Sequence, residues 1–395
     1  MKRNFYRCCA ACLLPWMARA EWTQFLGPLG IGVTEDAIPA RPQPELKWKR
    51  AIGIGFSSIS ATGDHVYTLG HAEGKETIWC LNLADGSTAW SHSYPAKLLP
   101  NLHEGGPAAT PTIFGHSVFT LGKEGKAYCV DRTTGEVKWQ IDINRRFGLK
   151  TPEWGYASSA RVRGHQLVLD VGPTLCLDSR NGKTLWQTRT YKAGYGSPTY
   201  FEQDGKGYYC VLNNEGLLVL QAEDGKVIDL YPWPTSYATN STTPIYRDRS
   251  LFISTAYNKG CALLDFDGRK LRLRYKNQEM RNHMNTCVPF GEYLVGFDRK
   301  SHNRRLVKLR CLDWNTGEIT WSQENLGCGS LIRAKDKLII LSDRGELVVA
   351  DANPQAFNER VRVKILDGKC WSHPALVRGH ILARNTAGTL VCYTL

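Results

Sequence analysis

Two short stretches of this sequence carry titratable side chains at spacings that could support acid–base or metal chemistry. His103 and Glu104 are adjacent, and Arg281 stands two residues before His283. Imidazole and carboxylate groups serve as general acids, general bases and metal ligands. The two stretches fall in different copies of a repeating pattern, so the sequence does not fix their separation. We therefore expect polar loop residues with satisfied hydrogen bonds, and we predict no catalytic residue and no metal site.

Aromatic residues offer a second kind of chemistry, which is ligand binding by stacking. Trp154, Tyr156, Tyr195 and Trp371 lie in loop-like stretches outside the alternating apolar runs. Rings gathered at a surface can stack on a flat ligand or a sugar. Packing within the protein is the alternative that we favour for each ring taken alone.

Eight of the thirteen cysteines fall into two groups by position. Five occupy one place in the repeat, where equivalent atoms of different copies are too far apart to form a disulfide. We predict that these five are reduced and buried, as free cysteines commonly are: Cys80, Cys129, Cys176, Cys311 and Cys392. A disulfide or metal site could join Cys287, Cys328 and Cys370, but three buried thiols are the simpler expectation.

The repeat itself is clearest in the stretch CVDRTTGEVKW, from Cys129 to Trp139. It predicts a strand, a tight turn with Gly135 at positive φ, and a second strand carrying the tryptophan. Copies end at Trp90, Trp186 and Trp321. Their spacing, about 45 residues, is typical of a four-stranded propeller blade.

The two ends of the repeat region predict how the ring closes. Seven blades follow one another between residues 57 and 366, and a lone fourth strand carries Trp48. Three more strands fit residues 372–395, so the strand of Trp48 would complete an eighth blade and leave no open sheet edge. The sequence thus predicts an all-β, eight-bladed propeller of four-stranded antiparallel blades over residues 46–395. We expect five tryptophans to hold neighbouring blades together: Trp48, Trp90, Trp139, Trp186 and Trp321.

The N-terminal region precedes this propeller in two parts. Residues 1–20 have a basic start, a short apolar run and the Ala18-Arg19-Ala20 sequence of a cleavage site, which predicts a signal peptide and a periplasmic or secreted protein. Residues 21–45 read as an irregular arm whose Trp22, Phe25 and Val33 could cover one propeller face. No other stretch is long and apolar enough for a transmembrane helix.

The formal charge is +13. Scattered Lys and Arg residues on a solvated surface explain this charge, so we expect no nucleic-acid partner.

The innermost strand of a blade comes first, so the loops before each blade should surround one end of the central channel. These loops carry the predicted ligand-binding residues, which are His103, Glu104, Trp154, Tyr156, Tyr195, Asn240, Arg281, His283 and Trp371.

The chain resembles the pyrroloquinoline-quinone-like eight-bladed propeller superfamily. The Asp-x-x-Thr-Gly-x-x-x-Trp repeat matches its tryptophan-docking motif, and WTQFLGPLGIGV (Trp22 to Val33) is similar to the start of its secreted single-domain members. The resemblance implies one of two functions. Some members are quinone-dependent alcohol or sugar dehydrogenases; others are non-catalytic propellers, such as the lipoprotein of the outer-membrane assembly machinery.

The dehydrogenase pattern implies adjacent cysteines beside the quinone and a calcium ion held by oxygen ligands. Here the adjacent pair is Cys8-Cys9, inside the predicted signal peptide, and the channel loops supply Glu104 and Asn240 without an Asp partner. We therefore expect a monomeric, non-enzymatic cell-envelope scaffold without a cofactor, which binds an envelope protein or a carbohydrate. The alternative is a dehydrogenase that uses pyrroloquinoline quinone and calcium.

Overall fold

The structure is a computed structural model that describes residues 21–300 and 306–395. Its strands form eight separate sheets, each built mainly from consecutive antiparallel strands. Blade 1 contains β3 (Ser60–Thr62), β4 (His65–Ala72), β5 (Lys75–Asn82) and β6 (Thr88–Pro95), and blade 2 contains β7 (Thr112–Phe114), β8 (Ser117–Leu121), β9 (Lys126–Asp131) and β10 (Val137–Asp142). Blade 3 contains β11 (Arg161–Arg163), β12 (Gln166–Asp170), β13 (Thr174–Asp178) and β14 (Thr184–Gln187). Blade 4 contains β15 (Thr199–Gln203), β16 (Lys206–Leu212), β17 (Gly216–Gln221) and β18 (Val227–Pro232).

The remaining four blades continue the same order along the chain. Blade 5 contains β19 (Ile245–Arg247), β20 (Ser250–Thr255), β21 (Gly260–Phe266) and β22 (Leu271–Asn277), and blade 6 contains β23 (Val288–Phe290), β24 (Tyr293–Arg299), β25 (Val307–Asp313) and β26 (Ile319–Gln323). Blade 7 contains β27 (Ser330–Ala334), β28 (Lys337–Leu341), β29 (Glu346–Asp351) and β30 (Glu359–Lys364), together with β1 (Val33–Thr34). Blade 8 contains β31 (Ala375–Val377), β32 (His380–Arg384), β33 (Thr389–Thr394) and β2 (Glu45–Ala51). The predicted eight-bladed propeller is confirmed.

The middle strands form the core of each blade, because both of their faces are covered. All five residues of β13 are buried, whereas β10 on the outer edge is half-buried to exposed along its length. Successive strand side chains point to opposite faces, so a strand covered on both sides buries both sets of side chains. The central strands are therefore mainly apolar in sequence, whereas the outer strands mix apolar and polar residues.

The repeat tryptophans lie between blades. The indole nitrogen of Trp90 donates to the carbonyl of Arg132 in blade 2 at 2.9 Å. The ring of Trp90 also lies over Gly135, where an added Cβ would be 2.5 Å from it. The other four predicted tryptophans make the equivalent hydrogen bond, namely Trp48 to Leu83, Trp139 to Ser179, Trp186 to Ala222 and Trp321 to Asn353, at 2.7, 2.9, 3.2 and 2.8 Å. The turn glycines Gly86, Gly135, Gly182 and Gly225 thus leave room for the tryptophan of the preceding blade.

Blade 8 closes the ring as expected. Strand β2 pairs antiparallel with β33, and Trp48 lies opposite Cys392. A fully buried arginine strengthens the join to blade 1, since Arg384 donates to the carbonyls of Gly53 at 3.0 Å and Leu69 at 2.5 Å. Buried polar groups require such partners.

The N-terminal arm is more regular than its sequence suggested. Val33 and Thr34 form β1, which pairs in parallel with β27 and gives blade 7 a fifth strand. Trp22 bridges Ala61 of blade 1, and the carbonyl of Thr23 accepts a hydrogen bond from the amide of Ile113 in blade 2. The arm therefore runs across one end of the channel and closes it.

One helical turn interrupts the strands. Helix α1 (Ile143–Phe147) is capped by the Asp142 side chain and ends at Gly148, which has a φ of 64°. Within the described residues, no helix is long and apolar enough to span a membrane. The predicted signal peptide and the cysteines at positions 8, 9 and 12 lie outside them.

The cysteines that the structure describes are all free thiols. The five repeat-position cysteines are buried, and so are Cys287 and Cys370, while Cys328 is half-buried. Burial raises the pKa of Cys80, Cys176 and Cys392 to about 12, which keeps these thiols protonated.

Candidate ligand-binding well at the channel mouth

A cavity of about 460 Å³ occupies the channel at the end where the innermost strands begin. The arm forms part of its floor, because the ring of Phe25 lies edge-on to the ring of His373 with centroids 5.2 Å apart. Ser159 and Ser197, just ahead of the innermost strands of blades 3 and 4, line its sides. The channel is thus a blind well, and we use the term well for this cavity and its lining.

Aromatic rings cover two sides of the well. Phe56 packs against His103 and Trp371, with ring centroids 5.0 and 5.9 Å apart. On another side Trp154 lies edge-on to Tyr195 at 5.8 Å. Burial, with a contribution from the charge of Lys123, lowers the pKa of His103 to about 4, so this imidazole is neutral.

A hydrogen-bonded chain forms a third side of the well. Arg299 donates to Nδ1 of His283 at 2.9 Å, and Nε2 of the same ring lies 2.7 Å from the Tyr257 hydroxyl. A guanidinium has only donors, so Nδ1 must accept and Nε2 must carry the proton. His283 is therefore a neutral imidazole whose Nε2–H donates to Tyr257.

Five of the nine predicted ligand-binding residues line the well, and four do not. The five are His103, Trp154, Tyr195, His283 and Trp371. Their loops precede different blades, so the ring of blades brings them together as expected.

Glu104 lies near the mouth but outside the lining. Its carboxylate accepts from Lys369 Nζ at 3.1 Å and from the Thr386 hydroxyl at 3.2 Å. Tyr156 is in the core instead, 2 % exposed, with its hydroxyl donating to Asn144. Both placements correct the expectation from sequence.

Asn240 and Arg281 are likewise engaged away from the well. The amide of Asn240 is fully buried and donates to the carbonyls of Asn213 and Trp233 at 2.7 and 2.8 Å. Arg281 makes a buried, two-pronged ion pair with Asp298, with both distances at 2.6 Å. A buried carboxylate beside an arginine is a structural pair, and this one occupies Nε and Nη2 of the guanidinium.

Sequence reasoning missed several lining residues. Phe56, Lys123, Tyr257, Met284 and Arg299 all line the well. Lys123, Tyr257 and Arg299 lie at or beside the turns between the second and third strands of their blades, which meet the same end of the channel as the loops before each blade. The glycine-flanked stretch LGKEGK, residues 121–126, was the available signal.

An exposed apolar rim surrounds the opening. Leu102, Tyr237 and Met284 are 93 %, 60 % and 38 % exposed. Leu102 and Met284 line the well, while Tyr237 lines an adjoining groove of about 330 Å³ that shares Trp154 and Tyr195 with it. Large apolar side chains grouped at one place on a surface are typical of interaction sites.

Comparison with known proteins places this architecture in a family. A family profile described as outer membrane protein assembly factor BamB matches residues 74–157 and 123–353. The chain belongs to this family. A search of curated protein sequences finds no significant relative.

Solved structures resemble the chain at low identity. BamB from Moraxella catarrhalis is 15 % identical with a TM-score of 0.64, and the match covers 89 % of this chain and 98 % of that one. Quinohemoprotein alcohol dehydrogenases from Comamonas testosteroni and Pseudomonas putida HK5 are each 10 % identical with a TM-score of 0.70, covering 95 % of this chain and 80 % of theirs. At these identities the likeness establishes the shared propeller fold.

The quinone and calcium implied by the sequence resemblance to dehydrogenases can be tested against the well, and its residues do not fit that pair. Of the candidate calcium ligands, Glu104 is held by Lys369, and the Asn240 side-chain oxygen accepts from Thr255 at 2.9 Å. Neither faces the well, and no Asp or Glu appears among its described lining residues. In the described ranges no three histidine, cysteine, aspartate or glutamate side chains gather to hold a metal.

Proposed function

We propose that this protein is a non-enzymatic scaffold of the cell envelope that binds a partner protein on the apolar rim of its channel mouth. The exposed rim of Leu102, Tyr237 and Met284 is the observation that carries this proposal. Membership of the BamB family supports it, because the family description refers to assembly at the outer membrane. The predicted signal peptide agrees with a periplasmic location, and we propose that the protein acts there as a monomer.

The chemistry of the rim favours a protein over a carbohydrate. Sugars are recognised mainly by flat rings, such as those of Trp154 and Tyr195. The fully projecting Leu102 and the flexible Met284 are aliphatic instead, and methionines suit adaptable protein surfaces. Aromatic anchors with apolar neighbours are also what protein interfaces concentrate at their energetic centres.

The second candidate is a quinone-dependent alcohol or sugar dehydrogenase, favoured by the fold of the alcohol dehydrogenases described above. It requires carboxylate and amide oxygens around calcium. Glu104 and Asn240, the oxygen ligands expected from the sequence, are both bound elsewhere. We therefore place this candidate behind the scaffold.

Photo-crosslinking from the rim tests the proposal. A p-benzoylphenylalanine residue at position 102 should give a discrete cross-linked protein in envelope preparations. The matched control is position 185, where Leu185 is 42 % exposed on the outer strand β14. A Tyr237→Asp change should weaken the cross-link at position 102. Equal cross-linking from both positions would contradict the proposal. A product whose added mass contains no peptide from another protein would identify a carbohydrate partner instead.

A further inference from the structure

The charges that line the well are of one sign. Lys123 comes from blade 2 and Arg299 from blade 6, which lie four blades apart in a ring of eight and so on opposite sides of the channel. Among the described lining residues there is no carboxylate. Clefts lined by charges of one sign concentrate ligands of the other sign.

Lys123 is held in place with its charged end towards the well. The residue is only 2 % exposed, and its methylene stem packs on Gly155, where an added Cβ would lie 2.7 Å from the stem. Its ammonium lies 5.9 Å from the centre of the Phe56 ring. Gly155 has a φ of 68°, which alanine adopts only with strain. The backbone thus provides a groove that fits the lysine stem.

The ammonium of Lys123 has no carboxylate within ion-pair distance in the part of the chain that the structure describes. The buried Glu76 is the acid whose charge acts on the Lys123 ammonium, but its carboxylate accepts from the Tyr94 hydroxyl at 2.8 Å and from the backbone amide of Lys123 at 3.0 Å. Burying an ammonium without a counter-charge is costly. In agreement, burial lowers the pKa of Lys123 to about 8 despite the charge of Glu76.

The floor of the well holds another polar group without a partner. His373 is 3 % exposed, and no described residue hydrogen-bonds its Nε2. Burial lowers the pKa of His373 to about 4, so the ring is neutral and carries one N–H. The Phe25 ring packs edge-on against this imidazole, with ring centroids 5.2 Å apart.

We propose that the well binds a small organic anion with a flat apolar body, whose acid group contacts the ammonium of Lys123. The rings of Phe56 and Trp371 would cover the apolar body, and Arg299 on the opposite side would add to the favourable potential. The volume of about 460 Å³ matches roughly 15 water molecules at about 30 Å³ each, which suits a ligand of one or two fused rings. This inference concerns a small ligand inside the channel and does not depend on a protein partner at the rim.

Calorimetric titration with a matched pair of probes tests the site. 2-Naphthoate carries the acid group, and 2-naphthylmethanol has the same rings without charge. The wild-type protein should bind the acid at least about tenfold more tightly than the alcohol, in line with a charge-assisted hydrogen bond of about 1.5–3 kcal/mol. 2-Naphthyl phosphate is the third probe, and the tighter of the two anions identifies carboxylates or phosphomonoesters as the ligand class.

Substitutions then assign the effect to Lys123. Lys123→Met keeps the stem that packs on Gly155, and Lys123→Gln is a second variant in case the first does not fold; either should bring the acid-to-alcohol ratio close to one. Lys126→Met is the matched control, since that ammonium donates to the carbonyl of Pro95 at 2.7 Å, and it should keep the wild-type ratio. The proposal is overturned if acid and alcohol bind equally to wild type, if the ratio survives both Lys123 variants, or if neither anion binds.

Discussion

Replacing Gly135 by alanine should destabilise the protein far more than the same change at Gly115. Both glycines have positive φ, 76° and 57°. Alanine in this left-handed region costs about 1–2 kcal/mol at either site. At Gly115 an added Cβ meets nothing within 4 Å, so this conformational cost is the whole effect. At Gly135 the Cβ would lie 2.5 Å from the Trp90 ring, closer than real Cβ contacts come.

The expected loss of unfolding free energy at Gly135 follows from the contacts that Trp90 would lose. Overpacking a close contact costs about 1–3 kcal/mol, and loss of the hydrogen bond to Arg132 adds about 0.5–1.5 kcal/mol. With the conformational cost included, we expect about 3–6 kcal/mol at Gly135 against about 1–2 kcal/mol at Gly115. A domain is stable by only about 5–15 kcal/mol, so the difference is easily measured.

Urea denaturation of the two variants beside wild type measures both free energies of unfolding. A double-mutant cycle supplies the decisive comparison. In a Trp90→Ala background the ring is absent, so Gly135→Ala should cost no more than Gly115→Ala does in wild type. Equal costs at the two glycines, or a Gly135 cost that is unchanged when Trp90 is removed, would refute the role we give to the tryptophan contact.

Four further predictions concern the core, the thiols, the floor of the well and catalysis. Trp186→Ala should lower the free energy of unfolding by about 3–5 kcal/mol, and half-buried Trp154→Ala by much less; denaturation would count against this if Trp154→Ala were the costlier change. Native protein should react slowly with Ellman's reagent at every described cysteine except half-buried Cys328, and fast labelling of a repeat-position thiol would be a contrary result. The folded-state pKa of His373, about 4, lies below the ordinary 6.5, so stability falls as the pH drops from about 6.5 towards 4. Wild type should therefore lose about 2–3 kcal/mol more than His373→Gln between about pH 7 and about pH 4.5, and identical pH profiles would exclude a buried neutral imidazole. The protein supplied with pyrroloquinoline quinone and calcium should give no alcohol-dependent dye reduction. Steady turnover in this assay would support the dehydrogenase hypothesis instead.

The sequence predicted the fold well because the repeat encodes a local contact. An Asx-turn, a glycine at positive φ and a tryptophan recur together because one tryptophan ring packs on the next glycine, as Trp90 does on Gly135. The sequence pattern is weaker where an aromatic ring other than tryptophan packs on the turn glycine. In blade 5 Tyr275 lies over Gly317, where an added Cβ would be 2.5 Å from the ring. The shorter turn and the absent tryptophan hid that equivalence in the sequence.

The site was predicted less well, because the sequence places loops but not the directions of their side chains. Tyr156 and Trp154 share one loop, yet one ring enters the core and the other faces the well. Arg281 was assigned to the mouth because its buried partner Asp298 lies 17 residues further along the chain, on β24, where local sequence patterns do not reveal it. Lys123 was overlooked because an isolated lysine in a polar turn usually faces solvent.

The way blade 8 is completed has a consequence for how the chain reaches its native state. Trp48 pairs opposite Cys392, so the contact that closes the ring joins residues near opposite ends of the sequence. Contacts of such long range form late, because much chain entropy is lost before they contribute. Until β33 has been synthesised, β2 has no strand to pair with and exposes the edge that promotes aggregation. A chain truncated before β33 should therefore keep the β2 edge unpaired and aggregate more readily than the full-length chain.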